Sequence, residues 1–221
     1  MTRSPAPQIV GVIFSLPDFQ RALRMRNPPD LFELRLDALV ANLDAIQREI
    51  DKLPAPLIIT ARHPREGGVN DLTSGERRGL LRKFLGHATY IDIELRSAGS
   101  SAAILGAARA EKIRTIISFH DFSGTPSSAN LNEFARAAKS LGADVVKIAT
   151  TTDTPEQLAR LQEFFSSHRL KMKIAAMGMG KLGRAARVWC AKHGSVLNYA
   201  HLGAARIHGQ LSVAQWRRAL K

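Results

Sequence analysis

The chain has 221 residues, 45% of them apolar and 23% charged, and one cysteine, Cys190. That is enough apolar material for one large globular domain, and it excludes an intramolecular disulfide, a cysteine-based metal site and any apolar run near the ~18 residues of a membrane-crossing helix. The formal net charge of +13 admits an anionic substrate, a membrane surface or nucleic acid. The basic residues form no blocks, however. Arg77-Arg78, Arg82-Lys83 and Arg217-Arg218 fall on predicted helix faces, as a solvated surface would. Aromatics are only 6%, without the stacking pattern of an RNA-binding surface.

The N-terminal Met1-Thr2-Arg3-Ser4-Pro5 leads straight into a strand, so no signal peptide is expected and the expected compartment is the cytoplasm. Strand-like apolar runs follow at 9–14, 31–36, 57–60, 90–94, 115–119, 145–148, 173–176 and 196–199. Amphipathic segments with helical spacing lie between them, among them 131–141, 155–165 and 182–192. Thr154 before Pro155 is a good N-cap with proline at N1, and Gly142 closes the preceding helix. Eight strand–helix units over residues 1–221 predict a single α/β domain, a (β/α)8 TIM barrel. A doubly wound open sheet is the fallback, but no G-x-G-x-x-G follows the first strand.

Such a barrel gathers its functional residues at the C-terminal ends of the strands. On the second strand the period of two puts Glu33, Arg35 and Asp37 on one face, where inward charges are costly unless they pair or hold a ligand. For Asp37 a structural ion pair and a functional role weigh equally. Thr60 and Arg62 lead into Glu66-Gly67-Gly68, and Tyr90, Asp92 and Glu94 share a side. His120, just past the fifth strand, is placed for acid–base work, although a hydrogen-bonded structural histidine is the commoner use.

The run 143–149 sets Lys147 near the end of a β-branched strand. There it must snorkel to water or work as a neutral amine. An amine kept partly neutral by desolvation or by a cationic neighbour can attack a carbonyl carbon and form a Schiff base. After the seventh strand, Met177-Gly178-Met179-Gly180 reads as a loop whose glycines let a ligand approach, with the methionines as loop packing. Arg184 and Arg187 open the next helix, and Arg187 can clamp a carboxylate through two parallel bonds. The segment 201–210, with two glycines, reads as a lid.

Taken together and in order, these positions resemble the type I 3-dehydroquinate dehydratases, the Schiff-base class of the shikimate pathway. The motifs are Glu-Leu-Arg-Leu-Asp at 33–37, Thr-Ala-Arg with Glu-Gly-Gly over 60–68, and Asp-Ile-Glu-Leu at 92–95. They continue with Ser-Phe-His-Asp-Phe at 118–122, Val-Lys-Ile-Ala at 146–149, Met-Gly before Arg187, and Gly-Gln at 209–210. The resemblance implies that Lys147 forms an imine with the C3 ketone of 3-dehydroquinate, that His120 takes the C2 proton and later protonates the departing hydroxyl, and that Glu66 orients His120. It implies that Glu33, Arg35, Arg62 and Gln210 hold substrate hydroxyls, that Arg187 clamps the carboxylate, and that Met177 and Met179 pack around the ring. Asp92 matches a carboxylate of the same network. Arg62 is the expected cation keeping Lys147 partly neutral.

The chain departs from the family pattern at Arg206-Ile207-His208, where Ser-Ala-Pro is usual, at Ala186, where serine is usual, and at Tyr199, where phenylalanine is common. Its start leaves little room for the N-terminal hairpin of longer members. Arg206 is expected to turn outward, since a second desolvated guanidinium beside Arg187 would meet like-charge repulsion. The resemblance implies a small-molecule substrate, no cofactor or metal, and no membrane or nucleic-acid partner, and it leaves a homodimer among the allowed assemblies. Two other readings stand beside it: another Schiff-base aldolase or lyase on the same barrel, and a basic nucleic-acid-binding homologue. A catalytically weakened homologue is a third, given the altered lid.

Overall fold

The computed structural model describes residues 6–167 and 172–221; the expectations about Met1 to Pro5 lie outside the described residues. Eight parallel strands run in chain order: β1 (Gln8–Ile13), β2 (Leu31–Arg35), β3 (Leu57–Thr60), β4 (Ala88–Glu94), β5 (Arg114–Asp121), β6 (Val145–Thr151), β7 (Lys173–Met179) and β8 (Leu197–His201). A short β9 (Leu211–Ser212) pairs with β8. The helices that alternate with them are α1 (Leu16–Leu23), α2 (Leu43–Glu49), α3 (Ser74–Phe84), α4 (Ala102–Ala110), α5 (Ser128–Ser140), α6 (Pro155–Ser167), α7 (Gly183–Lys192) and α8 (Val213–Ala219). This is the predicted (β/α)8 barrel. None of the described helices is long and apolar enough to cross a membrane.

Hydrogen-bonded neighbours run β7-β6-β5-β4-β3-β2-β1-β8-β9, so no ladder joins β7 to β8 among the described residues. That seam is bridged by the Val196 N–H donating to the Ile174 carbonyl at 3.0 Å and the Ala176 N–H donating to Ser195 Oγ at 3.1 Å.

Strand residues alternate between two cores, as the period of two requires. Val10, Leu31, Ile58, Tyr90, Ile116, Val145 and Ala175 face inward and fill the barrel. Ile13, Leu34, Ile59, Ile91, Ile117, Val146 and Ile148 face outward against Phe19, Ile46, Phe84, Leu131 and Leu161 of the helices. Helix starts carry the expected caps: Ser15 for α1, capping boxes Thr73/Glu76 for α3 and Ser212/Gln215 for α8, and Thr154 Oγ1 accepting the Gln157 N–H for α6. Gly142, at φ 77°, ends α5 as predicted.

Several strands outrun their apolar sequence. The ladder continues through His120↔Ala149, Asp121↔Thr150, Thr150↔Gly178 and Thr151↔Met179. Backbone pairing on both sides needs no apolar side chain, so the hydrophobic run marks only the lower part of each strand. Lys147 is therefore the third of seven residues of β6 and not its end, and Met177 and Met179 belong to β7, not to a loop. Arg77, expected on a solvated face, is buried and donates to the Leu72 carbonyl at 2.8 Å; Arg82 and Lys83 are exposed as expected.

Candidate active site

The C-terminal end of the barrel opens into a cavity of about 270 Å³. Lys147 stands on its floor, only 4% exposed. Its Nζ lies 2.9 Å from Asp92 Oδ2, 3.4 Å from Glu33 Oε1 and 4.0 Å from the Tyr199 ring centroid. The lysine thus neither snorkels nor stands alone in an apolar strand; it is ion-paired within the barrel.

The same two carboxylates hold Arg62, which is buried just past β3. Its guanidinium lies 2.8 Å from Asp92, 3.1 Å from Glu94 and 3.5 Å from Glu33, and it donates to Ser118 Oγ at 2.7 Å. Burial would lower the Arg62 pKa, but the three carboxylates outweigh it and hold it well above the ordinary value. Burial likewise pushes the Asp92 carboxyl up, and Arg62 and Lys147 together pull it far below the usual carboxylate range. Two expectations change here. Arg62 spends its charge on carboxylates instead of acting as a bare cation beside Lys147. Asp92, expected among the substrate contacts, lies beneath the cavity and does not line it.

His120, near the top of β5, faces Glu66. Its Nδ1 is 3.0 Å from Glu66 Oε2, and its backbone N–H donates to that oxygen at 3.0 Å. Burial, then Arg62 and Lys147, hold the imidazole well below its ordinary pKa, so it stands neutral. With the Nδ1 proton donated to Glu66, the Nε2 lone pair is free. Burial raises the Glu66 pKa, opposed first by the Arg96 Nε–H, which donates to Oε1 at 2.7 Å. The turn carrying Glu66 ends at Gly67, whose φ of 82° puts it in the left-handed region and whose α-carbon abuts Phe122.

Arg35 and Glu33 line the cavity, but Asp37 does not. Asp37 sits in a turn after β2, grips Arg35 at 2.9 and 2.8 Å, and accepts the Arg62 and Val69 N–H groups. Of its two readings, the structural ion pair is the one realised.

Met177, Met179, Tyr199 and Arg187 also line the cavity. Arg187 is 4% exposed and has no carboxylate within 4 Å among the described residues. It donates only to the Tyr199 carbonyl, at 3.4 Å, while its Nε and the Tyr199 hydroxyl have no protein hydrogen-bond partner. Burial lowers its pKa to about 10. Arg184, one turn earlier, is exposed. Gln210 lines the rim, its Oε1 accepting the Arg206 N–H at 3.3 Å. Arg206 is exposed, yet it does not turn away: it lies across the mouth with its guanidinium 4.7 Å from the Phe14 ring centroid, and Arg35 stands 5.1 Å from the same ring.

Sequence reasoning missed Phe14, Asp18 and Arg96. Arg96 was within reach, since it continues the alternation of 90, 92 and 94. Phe14 is the last residue of the first apolar run, and Asp18 lies in the first turn of α1, so neither carries a local signal of the site. Among the described residues no group of three or more His, Cys, Asp or Glu side chains is arranged to hold a metal ion.

Comparison with known proteins follows the same line as this geometry. Residues 17–221 match the family model described as Type I 3-dehydroquinase. The chain belongs to that family. A 3-dehydroquinate dehydratase of Methanothermobacter thermautotrophicus is 34% identical over 193 residues, 86% of this chain and 84% of that protein. The chloroplastic bifunctional 3-dehydroquinate dehydratase/shikimate dehydrogenase of Arabidopsis thaliana is 32% identical over 181 residues; the match takes in 80% of this chain and 30% of the plant protein. The crystal structure of 3-dehydroquinate dehydratase from Geobacillus kaustophilus superposes with a TM-score of 0.87 at 25% identity, over 97% of this chain and 90% of that one. As a type I 3-dehydroquinase, the chain is matched from within α1 to Lys221, a span that takes in β2 to β9.

Proposed function

We propose that this chain is a 3-dehydroquinate dehydratase that removes water from 3-dehydroquinate to give 3-dehydroshikimate through an imine on Lys147. The observation that carries the reading is one of position. A buried lysine on β6 and a neutral histidine on the adjacent β5 face one cavity that is also lined by Arg187, which has no carboxylate partner among the described residues.

The chemistry is that of a β-hydroxy ketone. The Lys147 ammonium gives up a proton and its amine adds to C3; the carbinolamine hydroxyl then takes a proton back and leaves as water, giving the iminium. The positive nitrogen acidifies C2, so His120 Nε2 takes a C2 proton and an enamine forms. The enamine electrons expel the β-hydroxyl, which takes the proton from His120 and leaves as water. A second water hydrolyses the conjugated iminium, releasing the enone and restoring Lys147; the net change is one water lost. Asp92 and Glu33, which pair with the ammonium, also face the iminium, so the electron sink forms beside counter-charges already in place. Arg187 holds the substrate carboxylate, Glu33, Arg35, Arg62 and Gln210 approach its hydroxyls, and Met177 and Met179 border the ring.

An aldolase would share Lys147 but has no use for an unpaired Arg187. A nucleic-acid surface is disfavoured by the basic residues themselves, since Arg77 is buried and Arg217 is tied to the carbonyls of Asn27 and Pro28. The same reading assigns a diffusing small-molecule substrate and a cytoplasmic setting, with a homodimer as one assembly to weigh by light scattering. The test is direct: purified protein given 3-dehydroquinate should raise the ultraviolet absorbance of the enone. No rise at any protein concentration would sink the assignment.

A further inference from the structure

Five cationic side chains line the cavity: Arg35, Arg62, Lys147, Arg187 and Arg206. Three are matched, with Asp37, with Asp92, Glu94 and Glu33, and with Asp92 and Glu33 respectively. Arg187 and Arg206 have no carboxylate within 4 Å among the described residues. One is buried in the wall and the other exposed at the rim.

The loop that bears Arg206 is anchored at both ends. On one side, His201 Nδ1 donates to the Gly203 carbonyl at 2.7 Å, and Gly203 sits so close to Asp18 that a Cβ there would meet Oδ1 at 2.7 Å. On the other, the His208 carbonyl accepts the Gly180 N–H at 3.1 Å. The Arg206 backbone itself is tied to Gln210. What remains free to move is the long Arg206 side chain, held only by its contact with Phe14. A cation–π contact at an exposed site is weaker than a charge-assisted, bidentate bond from a guanidinium to a carboxylate. A carboxylate in the cavity therefore draws Arg206 off the ring. The Phe14 ring also carries Arg35, so parking there sets two guanidiniums on one ring, and an anion in the cavity relieves that crowding by drawing Arg206 away.

We propose that Arg206 is a specificity-determining residue that grips the substrate carboxylate from the rim while Arg187 holds it from the wall, and that Phe14 is its resting place. This rests on the dehydratase reading for the identity of the substrate, but not for the chemistry of the grip. The site is thereby biased toward carboxylates over neutral analogues of the same shape, beyond what Arg187 alone gives.

The test uses two ligands that lack the ketone and so cannot form an imine: quinate and its uncharged methyl ester, titrated calorimetrically into wild-type protein, Arg206→Ser and Arg206→Lys. Arg206 is exposed, and matching thermal melts will show that the variants fold. Arg206→Ser should weaken quinate binding about tenfold, equivalent to ~1.4 kcal/mol, and leave the ester unchanged; Arg206→Lys should retain part of the preference. Equal losses for both ligands would reduce Arg206 to a clasp on the loop and overturn the proposal, as would no loss for quinate. A protein that makes no enone yet keeps an Arg206-dependent carboxylate preference would refute the dehydratase reading and uphold this one. An active dehydratase whose preference ignores Arg206 would do the reverse.

Discussion

Glu66 Oε2 accepts both the ring Nδ1–H and the backbone N–H of His120, each at 3.0 Å. One oxygen thus fixes the tautomer, the ring plane and the strand end that carries it. Arg96 and burial set the opposing influences on the Glu66 carboxyl, so the imidazole is held in one orientation in the cavity.

His120→Ala should still form the imine but turn over about 10²–10⁴-fold more slowly. Glu66→Gln should lower kcat in the same direction, because an amide need not hold the same tautomer. Stopped-flow formation of the enone separates the steps, and a near-wild-type kcat in His120→Ala would assign the base elsewhere.

Borohydride added with 3-dehydroquinate should inactivate the protein and leave one reduced adduct on the peptide containing Lys147. Peptide mass spectrometry reads this out. An adduct found only on another lysine would break the link between the buried ion pair and the imine.

The acidic limb of kcat/KM should fall below the ordinary histidine range of about 6.5, because burial and the Arg62 and Lys147 charges hold the His120 imidazole down. Stability should follow with a defined sign. Between the depressed folded value and the unfolded one, the unfolded chain binds a proton that the folded chain does not, so stability falls as pH drops through that window. A limb at or above the usual histidine value would contradict the assignment.

Asp92→Ala should be among the most destabilising single changes. It leaves Arg62 and Lys147 short of a shared partner in the barrel interior, and breaking a buried pair costs about 3–5 kcal/mol. At roughly 2–4 °C per kcal/mol for a chain of this size, Tm should drop by roughly 6–20 °C. Calorimetry showing a drop of only a degree or two would mean that Glu33 and Glu94 suffice.

Arg187→Ala should act mainly on KM. Loss of a desolvated, charge-assisted pair typically costs about 2–5 kcal/mol of binding. An unchanged KM with a reduced kcat would point instead to a role in the chemical step.

Residue order and strand parity made much of this legible. Eight apolar runs located eight strands, and alternation grouped Glu33 with Arg35 and Asp37 and set Asp92 and Glu94 on one side with Tyr90. Pairing was not legible, because which charge meets which is decided between residues far apart in the chain, as Arg62 with Asp92, 30 positions on, and Lys147 with Glu33, 114 positions back, illustrate. Arg62 therefore read as a substrate contact and a cation beside Lys147, without the three carboxylates that match it. Strand ends were also blurred: Ala149-Thr150-Thr151 carries no apolar signature, yet backbone ladders on both sides extend β6 and set Lys147 deep. Arg77 and Arg206 misled for the same reason, since an arginine's stem reaches far enough to be buried or parked on a ring without any trace in the local pattern.

Mechanically, the absence of a ladder between β7 and β8 among the described residues makes this barrel a split ring. A split ring flexes at its gap and stays stiff opposite it. The gap here is flanked by Met177 and Met179 on one lip and Tyr199 on the other, beside Arg187, whereas Lys147 and His120 stand on β6 and β5 within an unbroken run of pairing. Compliance is thus expected at the β7–β8 wall, while the β5–β6 ladder fixes the spacing between the Lys147 amine and the His120 imidazole. Amide exchange should accordingly be faster along Leu197–His201 than along Arg114–Asp121.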